Sequence, residues 1–427
     1  MKGWLHESTV VESSTLSTKR CPIFPGRASL NSPGLSISGQ SVLVFTALAG
    51  IMPMTAFVAL IVPIVRTLGL AEWHAGLSVT ASGLLWMLSA RGWGALGDRI
   101  GRRRVLLIVL SAYALVYVVM ALFVDQALRD PPAVLVSVAV LVATRGLIGL
   151  FYAGILPTAT AIIADLVPAG QRASYMAQLG AANALGMVVG PAVGGWIAYG
   201  GLALSLYVAA ALPLLSLLTV WWLLPASAAV AVERSGGRRL SLSWSDERLL
   251  LSLLTSLVVT AAISIAQVVA GFFAFDRLQL SAAEGARVTG LVLAALGVGI
   301  GLAQALVMNL RKVLPVRWIM LGSLVSTISF ALVPLVQNQW QLLAAHVLAA
   351  FGMGLLFPSF QALTADSVEA HEQGAAAGTV AAAQGLGMVV GPLIGTLLYR
   401  WSPNAPYLLI TLVLAALLLV ASMRQQR

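Results

Sequence analysis

Two side chains capable of ionic or proton chemistry stand inside long apolar runs of this chain, Arg145 in LVATRGLIG and His346 in LLAAHVLAA. An arginine keeps its charge and offers a fixed fork of N–H donors, which suits recognition of an anionic or strongly polar group. A histidine titrates between about pH 5 and 8, which suits proton exchange. Near the centre of a bilayer an arginine costs at least about 2.5 to 3.5 kcal/mol, so it should face a wet cavity; snorkelling towards an interface is the alternative. For His346 the alternative is a neutral, hydrogen-bonded ring that stitches two helices together. Trp86 and Tyr152 offer aromatic faces to a cargo or serve as packing and interface anchors. Asn183 and Gln384 can hydrogen-bond a cargo or join helices. Asp276 either exchanges protons or pairs with its neighbour Arg277.

The segments that must position these groups are membrane-spanning. Apolar residues make up 59% of the 427 and charged residues 9%, against roughly 25% charged in a soluble domain. A bilayer core about 30 Å thick needs roughly 20 apolar residues per helix. Twelve such runs are expected, at 43–66, 75–95, 104–124, 134–158, 174–198, 203–224, 249–274, 286–309, 317–336, 340–363, 376–399 and 405–423. The fold class is thus an all-α membrane protein with twelve transmembrane helices. With the N-terminus inside, eighteen of the 25 Lys and Arg fall in inner loops and tails and five in outer loops, with Arg91 and Arg145 inside spans. That asymmetry places both termini in the cytoplasm and explains the net charge of +10 without a nucleic-acid partner. Cys21 is the one cysteine, which excludes an internal disulfide and a cysteine-rich metal site. Residues 1–40 are polar and lack a secretory apolar region, and are expected to form a disordered cytoplasmic tail.

The string LGMVVGP occurs at 185–191 and again at 386–392, an offset of 201. The same offset carries Pro157 onto Pro358, Asp165 onto Asp366, Asn183 onto Gln384 and Arg145 onto His346. Two six-helix bundles are expected, 41–224 and 249–427, joined by a hydrophilic cytoplasmic linker at 225–248. Parallel repeats related by an axis along the membrane normal would set Arg145 and His346 on opposite walls of one central cavity.

Between the second and third spans runs GALGDRIGRRRV, from Gly94 to Val105, with Asp98 and Arg102 four residues apart where they can pair. This stretch resembles the GxLxDRxGRRxxL signature of the major facilitator superfamily. The fourth span is similar to the family's LxxxRxxQGxG motif, with Arg145 and Gly149 in place, Ile148 where glutamine is usual and Phe151 in place of the last glycine. The fifth, GMVVGPAVGGW, resembles the GxxxGPxxGG pattern of its proton-coupled exporters. A GxxxG pair alone would also suit plain helix packing.

The resemblance implies a two-bundle fold of pseudo-two-fold symmetry and a set of roles. Asp98 and Arg102 would form a cytoplasmic latch with Asp165, within the loop that also holds Gly94, Arg99, Gly101 and Arg103, with Asp98 near the N-terminus of the eleventh helix. Gly186, Gly190, Pro191 and Gly194, and in the second half Gly387, Gly391 and Pro392, would form packing faces and proline bends. Many drug and proton antiporters of the family carry an acidic residue in the first helix, nine before a proline; here Pro63 is kept and the position is Met54. The implied function is secondary active efflux of a small molecule across the inner membrane by alternating access, in exchange for protons, by a monomer in the lipid bilayer. A dedicated exporter of an anionic metabolite such as a siderophore is the alternative, and an importer or facilitator a further one. No phosphate-binding loop, catalytic constellation or HExxH site stands out, so neither an enzyme nor a cofactor or metal is expected.

Overall fold

The computed structural model describes residues 37–224, 244, 246–310, 313–369 and 372–425. Among them are thirteen α-helices and no strand: α1 Ile37–Thr67, α2 Glu72–Ile100, α3 Arg102–Arg129, α4 Val134–Tyr152, α5 Ile155–Leu166, α6 Ala169–Ile197, α7 Leu202–Leu223, α8 Leu250–Leu278, α9 Ala282–Asn309, α10 Pro315–Leu332, α11 Gln339–Asp366, α12 Gln373–Trp401 and α13 Ala405–Gln425. The expected tail at 1–40 lies outside the described residues except for 37–40, which open α1. The linker expected at 225–248 lies outside them except for 244 and 246–248.

Among the described residues, eleven segments are long and apolar enough to cross a membrane, with α4 and α5 joined as one, Val134–Leu166. The 29-residue α2, which carries Asp98 near its end, is the twelfth long element. The fourth span, expected to end at 158, thus continues to Leu166 after a break at Ala153 and Gly154. There the Gly154 N–H donates to the Phe151 carbonyl, 3.0 Å. The Leu150 carbonyl, which a continuous helix would bond to Gly154, instead accepts from the Trp93 indole N–H at 2.7 Å and the Ser89 hydroxyl at 3.1 Å, both on α2. Pro157 falls in the first turn of α5, where its missing N–H leaves no helical bond unmade. Gly101, at φ +97°, turns α2 into α3 in one residue, a backbone region that side chains disfavour.

The helices pack by a repeated scheme. In the first half α1 lies on α6 and α7, α2 on α4, and α3 on α4 and α7; in the second, α8 lies on α12 and α13, α9 on α11, and α10 on α11 and α13. The repeated glycines act at these contacts. A Cβ at Gly186 would overlap Ile51 and one at Gly190 would overlap Thr55, both on α1. A Cβ at Gly387 would stand 2.8 Å from the Leu257 carbonyl oxygen and one at Gly391 2.9 Å from that of Ala261, both on α8. Gly194 faces Ala56 in the same way, 2.9 Å from its Cβ.

The prolines of the repeat touch the opposite half. The Pro191 carbonyl occupies the space a Cβ at Gly290 of α9 would need, and the Pro392 carbonyl lies 2.6 Å from where a Cβ at Gly76 of α2 would stand. α2 and α12 stay in contact through the bond from Thr80 Oγ1 to the Val389 carbonyl, 2.8 Å, and as far as Met87 and Gly385. Beyond that level Gly92 and Gly94 of α2, and Gly374 and Gly378 of α12, have open space where a Cβ would point. The halves are therefore joined near the α1–α2 turn and part towards the α2–α3 turn.

Candidate functional site

A cavity of about 330 Å³ lies between the halves. Its first-half wall comes from α1, α2, α4, α5 and α6 and its second-half wall from α8 and α12. Most of the wall is apolar, with Met54, Met187 and Met388 among its adaptable side chains. Trp86, Arg145, Tyr152 and Asn183 all line it.

Arg145 is 1% exposed, and its Nε and Nη1 have no hydrogen-bond partner in the protein. Nη2 approaches the Met54 sulfur at 3.7 Å, a weak acceptor, and the guanidinium carbon stands 4.3 Å from the Phe57 ring centre. The neighbouring Tyr113 and Tyr117 donate their hydroxyl protons to the Gly50 and Pro53 carbonyls, at 2.9 and 2.7 Å. No carboxylate among the described residues lines the cavity. Met54 thus lies beside the guanidinium from the position where relatives of the resembled family carry an acid.

Few other polar side chains line the cavity. The Tyr152 hydroxyl lies 3.3 Å from Asn183 Oδ1. On the second-half wall Ser264 and Gln267 of α8 are the cavity's polar side chains. Neither was singled out in the sequence, although a lone amide in the apolar run AAISIAQVVAGFF could have been weighed by the same reasoning as Arg145.

His346 is not brought to this cavity. It is 0% exposed, with Nδ1 2.9 Å from the Leu342 carbonyl and its ring edge-on to Phe330 and Tyr407, at 6.4 and 6.0 Å. The 201 offset transfers a backbone position and not what fills the space before it. Aromatic rings of α10 and α13 surround the imidazole, whereas Arg145, though 1% exposed, lines the cavity wall. Gln384, half-buried on α12, also lies outside the cavity wall.

Asp276 lies outside it too, at the joined end. Arg66 of α1 donates to both its carboxylate oxygens, at 2.9 and 2.8 Å, and Tyr399 of α12 donates at 2.7 Å. Arg66 also pairs with Glu72 at 3.2 Å. The neighbour expected as its partner, Arg277, instead donates to the Val336 carbonyl at 2.8 Å. The contact runs between the halves and closes that end.

At the parted end Arg102 bridges Asp98, 2.6 Å, and Asp165, 3.4 Å. Arg103, grouped with them in the sequence, caps the last turn of α7 by donating to the Leu224 and Trp221 carbonyls, both at 2.6 Å. Arg99 is exposed.

Comparison with known proteins agrees with this architecture. The family model described as Major Facilitator Superfamily matches residues 42–286 and 278–425. The chain is 29% identical to the tetracycline resistance protein, class C, of Escherichia coli over 362 residues, covering 81% of this chain and 85% of that one. It is 28% identical to the multi-drug resistance efflux pump PmrA homolog of Lactococcus lactis subsp. lactis (strain IL1403) over 334 residues, 77% of this chain and 79% of the relative. Among solved structures, a bacterial homolog of the human lysosomal transporter Spinster, inward-facing and occupied, superposes with a TM-score of 0.71 at 14% identity, over 90% of this chain and 96% of that one. The human organic anion transporter MFSD10 does so at 0.61 and 20% identity, over 90% and 99%.

Proposed function

The chain belongs to the Major Facilitator Superfamily and is a multi-pass membrane transporter; on that premise we propose that it is a secondary active efflux transporter, which expels a small molecule across the bacterial inner membrane by alternating access. The observation that carries this reading is the cavity between the halves, with a buried and unpaired Arg145 on its wall and one end joined by Arg66 and Asp276. With both termini cytoplasmic, as the distribution of basic residues suggests, the Arg66 end faces outward and the cavity is read as open to the cytoplasm. The efflux relatives support the outward direction of transport.

Cargo enters from the Asp98 end and lies against Arg145, Trp86, Asn183 and Gln267. Rocking then separates Arg66 from Asp276 and brings the cytoplasmic ends of the two halves together. Arg102, already paired with Asp98 and Asp165 in this cytoplasm-open state, ties α2, α3 and α5 of the first half into one moving unit. The glycine faces of α6 and α12 carry their partners α1 and α8 as rigid pairs through this movement. Uphill export draws on the proton-motive force, which has a chemical part, the pH difference, and an electrical part, the potential. Exchange with entering protons would use the first, and export of a charged cargo the second. A dedicated exporter of an anionic metabolite is the second reading, favoured by the lack of a carboxylate in the cavity.

The test is accumulation in a bacterial strain lacking its own efflux pumps. Cells making the protein should retain less of a fluorescent aromatic dye or of an internal acidic metabolite than cells making Arg145→Met at equal membrane level. Equal retention across a panel of both kinds of compound would rule out efflux through this cavity.

A further inference from the structure

The cavity holds one fixed charge and nothing to balance it. Arg145 cannot lose its proton in a protein. Its Nε and Nη1 have no partner, and the group at Nη2 is a thioether. Among the described residues every helical Asp and Glu lies within about one turn of a helix end, from Glu72 opening α2 to Asp366 closing α11, and none lines the cavity. A buried charge is costly unless something pairs with it. An anion carried by the cargo would supply the partner that the protein does not.

We propose that the cargo is an organic anion of single charge with an apolar body, and that its export is driven by the electrical part of the proton-motive force, with no proton exchanged in the cavity. This rests on the efflux reading above and names its substrate class and coupling. Arg145 takes the anionic group, the methionine and Trp86 wall takes the body, and Gln267 offers the second half a hydrogen bond to the same molecule. That last contact lets cargo bind both halves at once, which favours their closing around it.

The energetics follow from charge counting. Loaded, guanidinium and anion form a neutral pair, and turning the cavity from one face to the other moves no net charge through the field. Empty, the cavity carries Arg145 alone, and a negative interior draws that positive charge back inward. One cycle exports one negative charge. For a single charge each factor of ten in concentration corresponds to about 59 mV, so an inside-negative potential is itself sufficient to concentrate the anion outside. His346 lies away from this path, so the cavity has no histidine to couple it to pH.

The experiment uses the full chain in liposomes of neutral phospholipid, with equal pH on both sides. A tenfold potassium gradient with valinomycin sets the potential. The probes are 1-naphthalenesulfonate and, of like size and opposite charge, 1-methylquinolinium. The expected result is accumulation of the sulfonate approaching tenfold in the positive compartment, and none when a pH difference is imposed at zero potential. Arg145→Met should abolish it and Arg145→Lys retain part of it. Met54→Asp, which supplies an internal counter-charge beside Arg145, should also abolish it, with its fold checked by an unchanged elution profile.

Sulfonate uptake that follows the pH difference at zero potential would overturn the inference and leave efflux standing. Movement of the quinolinium and not the sulfonate would do the same. Undiminished sulfonate uptake by Arg145→Met or Met54→Asp would overturn it as well. If neither probe moves under either gradient, this inference falls, and the cell-retention assay decides the efflux reading separately.

Discussion

Replacing Arg145 by methionine should make the protein more stable and inactive at once. A mid-membrane arginine costs about 2.5 to 3.5 kcal/mol on insertion scales. Here the Phe57 ring returns about 0.5 to 2 kcal/mol through its face, and no carboxylate returns more. The net penalty of the guanidinium is therefore about 0.5 to 3 kcal/mol, a factor of roughly 2 to 160 in the folding equilibrium. Methionine has nearly the same reach and can lie along Phe57 and Met54 without a charge. The expected outcome is a raised thermal unfolding midpoint for Arg145→Met in detergent or lipid, with transport lost in the same preparation. Arg145→Lys keeps the charge and should show no such rise. A lowered midpoint for the methionine variant, or identical behaviour of the two variants, would refute the idea that the guanidinium is unpaired and held for its ligand.

Asp276→Asn weakens the contact between the halves at the Arg66 end. Both side chains are more than a third exposed, 38% and 39%, so the pair is worth about 0.2 to 1 kcal/mol. Spin labels at Thr67 and Gln279 should show a longer-distance population enlarged up to about fivefold, and an unchanged distribution would count against a gate there. Gly186→Leu and Gly387→Leu, made singly, should each lose transport while inserting normally, since overpacking of about 1 to 3 kcal/mol falls on the α1 and α8 faces; full activity in either would deny those faces a role. Ahead of α8, hydrogen bonds from Arg248 hold the Asp246 carboxyl below its ordinary value of 3.8. The stabilisation from that pair is complete above pH 3.8 and fades as pH falls below it. Protection from hydrogen exchange at the start of α8, taken relative to an unstructured peptide at the same pH, should fall only in that acid range and not in Asp246→Asn.

What could be read from the sequence was what depends on one segment at a time. Apolar length yields the spans, and the glycine spacing of GMVVGP yields close helix faces that α1 and α8 do occupy. Arg145 was legible because a charge in an apolar run must find water or a ligand wherever its helix lies. His346 was not, because its surroundings are set by Phe330 and Tyr407 on other helices. Asp276 shows the same limit. Its partner Arg66 stands 210 residues away, while the adjacent Arg277 points to a backbone carbonyl. The break after Tyr152 depends on Trp93 reaching across from α2, a donor that no local pattern in the fourth span reveals.

The close approach of the Pro191 carbonyl to Gly290, and of the Pro392 carbonyl and the Thr396 side chain to Gly76, bears on leakage. Side chains can part by rotating and admit a single file of water, along which protons hop. Peptide groups pressed together without a Cβ between them leave little room for such a file. If these contacts exclude water, their quality should be read in resting conductance rather than in turnover. Gly290→Ala or Gly76→Ala, whose Cβ would overlap atoms of the opposite half, should raise the resting conductance of liposomes carrying the protein, and unchanged conductance would deny these contacts that role.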